Sequence, residues 1–375
     1  MLFEITTTIQ DCKSIKIKGM LTISIVKERD PFFDNARFIL VFLVVFGHFI
    51  VQVKHHHWFI FELNNFLSLL RMPALIVITG FLSKGFNRPG YIEKTTKALL
   101  VPYLLFQVIF AYYYYLLYDK SIFTFDFFQP QFTLWFIFSL FMWKMLLFIF
   151  SNLKHPLLFA FIFGIGIGYI ESAGHYFNIQ RTFTYFPFFM LGFYLRKEHF
   201  EIVKKKSSKL IGIVFIAVVW FIVSQISPAE VQSWLGANRS YIANGHEEWY
   251  IGLKRAMFYS FSLLVGFAFL SFVPTKKTFF TSLGRKTAYI YILHGAIVRT
   301  LYVYVINPEE FTTIWHYLQL PMYAILLVLI LSSKPVTVLT KPLIEGKIVD
   351  YCALPFKWLS NKRKLEQEPP IQKSA

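Results

Sequence analysis

The chain has 375 residues, of which 56% are hydrophobic and only 16% charged, with a mean hydropathy of +0.51. Soluble domains are closer to a quarter charged, so the balance points to lipid. The formal net charge of +17 would suggest nucleic acid in a soluble protein, but the basic residues collect in alternate loops between apolar runs, as they do when they set orientation in a membrane. Nucleic acid is therefore excluded as a partner. Cys12 and Cys352 form neither a disulfide framework nor a metal pattern.

Crossing about 30 Å of hydrocarbon takes about 20 apolar residues. In chain order, the apolar segments are 36–53, 66–83, 98–118, 133–150, 156–170, 182–195, 210–226, 253–273, 287–306 and 319–331. The expected fold is all-α, a polytopic membrane protein of about ten transmembrane helices. Residues 1–29 form a polar segment before the membrane domain at 30–334, and 335–375 form a tail. No cleavable signal is visible, and Met1 and Met20 are both candidate starts. Most of the 38 basic residues fall on one side of this arrangement, whereas the other side has only Lys54, Lys120, Arg181, Arg239, Lys254 and Arg255. The positive-inside rule then puts both termini in the cytoplasm.

Ionisable groups within a span are costly and usually face a cavity or a partner. The first span carries Asp34, Arg37 and His48. Eleven residues separate Arg37 from His48, about three helical turns, so the two share a face roughly 16 Å apart along the axis. Asp34 lies three residues before Arg37 and can pair with it. A neutral imidazole beside the small Gly47 is a suitable general base for a hydroxyl nucleophile. The competing reading makes His48 a helix-packing group and lets Arg37 reach the interface. The catalytic reading requires the two side chains to line one space.

At these residues the chain resembles the acyltransferase 3 family of membrane-bound O-acyltransferases, and in particular its fucose 4-O-acetylase-like branch. Asp34-x-x-Arg37 followed by His48 is similar to the family's opening motif. Met72-Pro73 with Thr79-Gly80-Phe81-Leu82, then Leu134-Trp135-Phe136-Ile137, follow in the family's order. Phe186-Pro187-Phe188-Phe189 with Leu191-Gly192, and Leu283-Gly284 with Tyr291-Ile292-Leu293-His294, complete the resemblance. It implies transfer of an acyl group, usually acetyl, from cytoplasmic acetyl-CoA to a hydroxyl of a cell-surface or lipid-linked carbohydrate, with no metal. Carried over, His48 is the general base or transient acyl acceptor and Arg37 orients the site. Where much of the family has Arg-x-x-Arg, this chain has Lys94-Thr95-Thr96-Lys97. The charge for the CoA phosphates is kept, but the bidentate geometry of arginine is lost. Thr79 and Thr287 stand where the family has serine.

Further residues have two readings each. Trp234, Trp249 and Arg255, on or beside the longest outer loop, suit a sugar ring, and they equally suit an interfacial aromatic belt. His294 either lines the cavity or packs helices. His55, His56 and His57 read as a solvated loop, and Gly164, Gly166 and Gly168 as a close-packing face. Arg71 and Lys144 are single cations expected to find a carbonyl, a carboxylate or the interface. A polysaccharide exporter is the alternative function, and the composition suits a bacterial plasma membrane.

Overall fold

The computed structural model describes residues 29–350 apart from 175 and 236. Cys12, Cys352, Met1, Met20 and most of the expected tail lie outside the described residues. Among these, all regular structure is helical. Helix α1 (Pro31–Val53) starts where the Asp30 carboxylate accepts from the Phe32 backbone N–H at 2.9 Å, with Pro31 in the first turn. Helix α2 (Trp58–Phe81) follows after one tight turn. Helix α3 (Tyr91–Thr95) continues through a π turn, Thr96–Leu100, into α4 (Val101–Leu117). The wide turn precedes Pro102, which has no N–H to return to the Ala98 carbonyl and whose ring crowds that oxygen. Then come α5 (Trp135–Phe150), α6 (Pro156–Gly166), α7 (Ile179–Tyr194), α8 (Lys197–Val203) and α9 (Lys206–Ser224). The chain closes with α10 (Pro228–Leu235), α11 (Ile251–Phe272), α12 (Thr287–Tyr304), α13 (Ile314–Leu331) and α14 (Lys334–Ile344).

Every expected apolar segment falls on one of these helices. By length and composition, six qualify to cross a membrane: α1, α2, α3–α4, α9, α11 and α13. Helices α5 and α6 are apolar but shorter, while α7 and α12 carry Arg181, His294 and Arg299. The protein is a multi-pass, all-helical membrane protein.

Helix α2 is the axis of the bundle and packs against α1, α7 and α11. At its crossing with α7, Gly80 lies against the Phe189 carbonyl and Gly192 against the Val77 carbonyl, so neither position has room for a side chain. Helix α9 lies at the rim and rests Gly212 on Ala268 of α11, while Leu210, Ile213, Val214 and Phe221 face outward as a lipid-contacting surface.

The ends of the helices are tied in two separate layers. In the layer with the lysine-rich loops, Lys204 donates to Asp30 at 2.8 Å and Lys286 to the Ser332 carbonyl at 2.6 Å. In the opposite layer, Lys54 donates to Gln232 at 2.7 Å, Asn65 to the Pro228 carbonyl at 2.7 Å and Gln180 to the Arg239 carbonyl at 3.2 Å. These layers are the basic end and the opposite end of the bundle. Helix α14 runs past the expected boundary at 334 and packs at the basic end against α4, α12 and α13.

Candidate active site

The first turn of α1 is a polar knot at the basic end. Asp34 and Arg37 are almost completely buried and ion-paired with each other. Asp34 also accepts from Arg29 at 3.1 Å and has Arg285 at 3.7 Å. Next to it, Asn35 donates to the carbonyls of Pro274 and Lys276 at 2.8 and 3.0 Å and accepts from the Thr281 hydroxyl at 2.7 Å. These bonds fix α1 to the 274–285 segment, and Gly284 lies against the Asp34 carbonyl because nothing larger fits.

Helical side chains lean towards the N-terminus, and Arg37 does so, reaching back to Asp34 and the Phe33 carbonyl. Along the face between Arg37 and His48, Val41 and Val44 are buried. Arg37 thus takes its partners from the first turn of α1 at the basic end, about three turns from His48.

His48 meets its partners deeper in the bundle. Its ring centroid is 5.1 Å from that of His294 on α12 and 4.8 Å from Phe132. Although enclosed by helices, it keeps some accessible surface. His294 is fully buried. Its Nδ1 lies 3.1 Å from the Ile290 carbonyl and 2.8 Å from that of Tyr291. A carbonyl can only accept, so Nδ1 carries the hydrogen, and in the neutral ring the lone pair is on Nε2. Among the described residues, that buried Nε2 has no hydrogen-bond partner.

Arg71 of α2, Arg181 of α7 and Arg299 of α12 all lie within electrostatic reach of His48. The Arg71 guanidinium occupies the space over Gly47, where a β-carbon would collide with it. Arg181 sits over the Trp135 ring at 5.0 Å, and Arg299 over the Phe132 ring at 4.0 Å. Among the described residues, none of the three arginines has a carboxylate partner. Arg71 donates from Nη2 to the Ser68 hydroxyl at 3.1 Å, and its buried Nη1 has no partner. Arg71 also lines a pocket of about 730 Å³, whose wall includes Lys54, Asn64, Asn65, Gln232 and Arg239 and which lies at the opposite end of the bundle.

Residues 30–333 match the family model described as an acyltransferase domain, that of the acyltransferase 3 family. The chain belongs to this acyltransferase family. No curated protein and no solved structure matches it.

In this acyltransferase the other expected site residues lie apart. Lys94 is exposed at the basic end, and Lys97 is paired with Glu93 at 3.0 Å and Asp350 at 3.3 Å. Trp249 is 84% exposed. Trp234 donates to Glu230 at 2.9 Å, with Lys254 over its ring. Arg255 is buried against the rings of Tyr241 and Phe258. None of Trp234, Trp249 and Arg255 lines the pocket. The three consecutive histidines are exposed, with His55 edge-on to Phe61 and His57 to Tyr317. Gly164 lies against Pro187 and the Tyr259 hydroxyl, and Gly168 against the Tyr241 ring, whereas Gly166 faces open space. Lys144 sits over the Tyr91 ring at 5.3 Å. Sequence reasoning gave Arg71 a bland role and left Arg181 and Arg299 unassigned to the site. The available signal was three arginines in or beside apolar segments with no acid at helical spacing.

Proposed function

We propose that this acyltransferase moves an acetyl group from acyl-CoA to a hydroxyl of a cell-surface or lipid-linked carbohydrate. The observation that carries this reading is the His48–His294 pair, set among arginines inside the family's domain. An imidazole of ordinary basicity is largely neutral at pH 7 and can take a proton from a hydroxyl as that oxygen attacks.

The acceptor hydroxyl gives its proton to His48 while its oxygen bonds to the thioester carbonyl carbon. The resulting oxyanion is stabilised by a guanidinium, with Arg71 beside Gly47 the nearest candidate. Collapse breaks the carbon–sulfur bond, and the CoA thiolate recovers the proton from His48. While His48 holds that proton, the Nε2 lone pair of His294 is an acceptor for the imidazolium. Arg37, tied to Asp34, fixes the start of α1 and so positions His48 rather than touching the reacting atoms.

In this reading the basic end is cytoplasmic, in a bacterial plasma membrane, with both termini on that side. The CoA phosphates meet Lys94 and Lys97 there, and Lys97 exchanges its carboxylate partners for phosphate. The acceptor enters from the opposite end through the pocket floored by Arg71. In membranes supplied with radiolabelled acetyl-CoA, His48→Ala is expected to lower labelling of surface glycan by about 10²- to 10⁴-fold with the protein still inserted. Unchanged labelling sinks the assignment.

A further inference from the structure

The pocket at the opposite end has a one-sided charge. Three cations line it, Lys54, Arg71 and Arg239, together with His55, and among the described residues no aspartate or glutamate does. The remaining polar lining is largely amide and hydroxyl, from Asn64, Asn65, Gln232 and Asn238 among others. Two acids adjoin lining residues in sequence without lining the pocket themselves. Glu62, beside Phe61, forms no ion pair among the described residues, and Glu230, beside Ala229, is already engaged by Lys254 at 2.7 Å and Trp234 at 2.9 Å. Lys54 is buried, and its ammonium donates to the neutral Gln232 and lies over the Phe61 ring at 4.8 Å.

A cation removed from water without a counter-charge is costly, and a span keeps one only where something compensates it. One developing oxyanion can compensate one guanidinium during turnover. It leaves the others unmatched, because Lys54 lies seven residues beyond Gly47, roughly 10 Å further along the axis of α1. The thioester itself is neutral, and the donor's phosphates have cations of their own at the basic end. The missing negative charge therefore has to arrive with the acceptor.

We infer that the acceptor is an anionic carbohydrate, with a carboxylate or phosphate group held by Lys54, Arg71 and Arg239 while the amide-rich wall binds its hydroxyls. This inference rests on the acyl-transfer reading for its chemistry, but the binding site can be tested separately. Arg71 supplies the buried end of the grip and Arg239 the exposed mouth, so the anion orients the sugar and presents one hydroxyl towards His48. Guanidinium groups suit either anion through paired N–H donors.

The test uses the full-length protein in lipid nanodiscs, with methyl glucuronide, glucose 1-phosphate and neutral methyl glucoside as probes. Binding is read from the ligand-dependent shift in melting temperature. At least one anionic probe should bind about ten-fold or more tightly than the glucoside, as a charge-assisted bidentate contact implies. That preference should shrink as salt is raised and in both Arg71→Gln and Arg239→Gln. Arg239 is exposed on a loop, so its variant remains informative should the buried Arg71→Gln fold poorly. Preference for the glucuronide identifies a carboxylate, and preference for the sugar phosphate identifies a phosphate. Equal binding of all three probes overturns the proposal, as does full anion preference in Arg239→Gln. A parallel arm follows transfer from labelled acetyl-CoA. If the anion preference is intact but no acceptor is ever acetylated, the acyl-transfer reading fails and the binding site stands. Equal acetylation of neutral and anionic sugars has the opposite meaning.

Discussion

Two imidazoles meet at His48, and their surroundings differ. His294 is held from behind by two backbone carbonyls, which fix its hydrogen on Nδ1 and leave Nε2 as a buried lone pair. Replacing it with glutamine keeps a polar group of similar reach but removes a basic nitrogen. His294→Gln should lower kcat by about 10²-fold and shift the acid limb of the pH–rate profile, with little change in KM for acyl-CoA. A residue that only packed helices would leave the pH profile unmoved. Gly47 offers a second test at this scale. A methyl group there meets the end of the flexible Arg71 side chain, which can swing aside. Gly47→Ala should therefore reduce kcat/KM for the acceptor while the melting temperature changes by only a few degrees, since no backbone has to move. An equal loss of both would show that Arg71 is structural.

The helices differ in how they satisfy the bilayer. Helix α9 faces lipid and is apolar, whereas α7 and α12 can carry arginine and histidine because neighbouring helices and the pocket surround them. The α2–α7 crossing holds this arrangement together. There Gly192 lies against the Val77 carbonyl, which is backbone and cannot rotate away. Gly192→Ala should cost roughly 1–3 kcal/mol, as overpacking does, and should lower the melting temperature in detergent together with activity. A variant as stable as wild type would mean that the two helices can part without loss. Helix starts were legible only in part. Apolar runs point to starts near 36 and 66, while the helices begin at Pro31 and Trp58. Asn35 and Asn65 lie outside the apolar windows, yet they are buried within α1 and α2 because each donates to a backbone carbonyl of a distant segment.

Across the whole molecule, α10 closes one wall of the pocket and is held by links that no local pattern encodes. Lys54, in the turn after α1, and Asn65 of α2 bind it. Ser233 donates to the Glu230 carbonyl at 2.6 Å and lies 2.8 Å from His246 Nε2. Glu230 is bonded to Lys254 of α11, and that hydrogen bond holds its carboxyl below the usual glutamate range. A lowered folded-state pKa means that the stabilisation is fully present above the unfolded value and is lost as pH falls through the folded one. Hydrogen exchange in 228–235 should thus accelerate as pH drops below about 4, after correction for intrinsic rates, and Glu230→Gln should remove that dependence. An unchanged exchange profile in the variant would assign the wall's stability to the other links.

The sequence by itself determined the class of molecule, the apolar segments and the family, because each is written in residues close together along the chain. Hydropathy is a property of a window, and so is a motif such as Asp34-x-x-Arg37. It also placed Arg37 and His48 on one helical face, as helical periodicity demands. Only the tertiary structure decided that Arg37 turns back to Asp34, that His48 faces His294 from 246 positions away, and that arginines from three helices converge there with no carboxylate partner among the described residues. Those facts depend on which faces of distant helices meet. In a bilayer that choice is made by close packing at glycines and by the need of buried polar groups for one another, neither of which leaves a periodic trace in the chain.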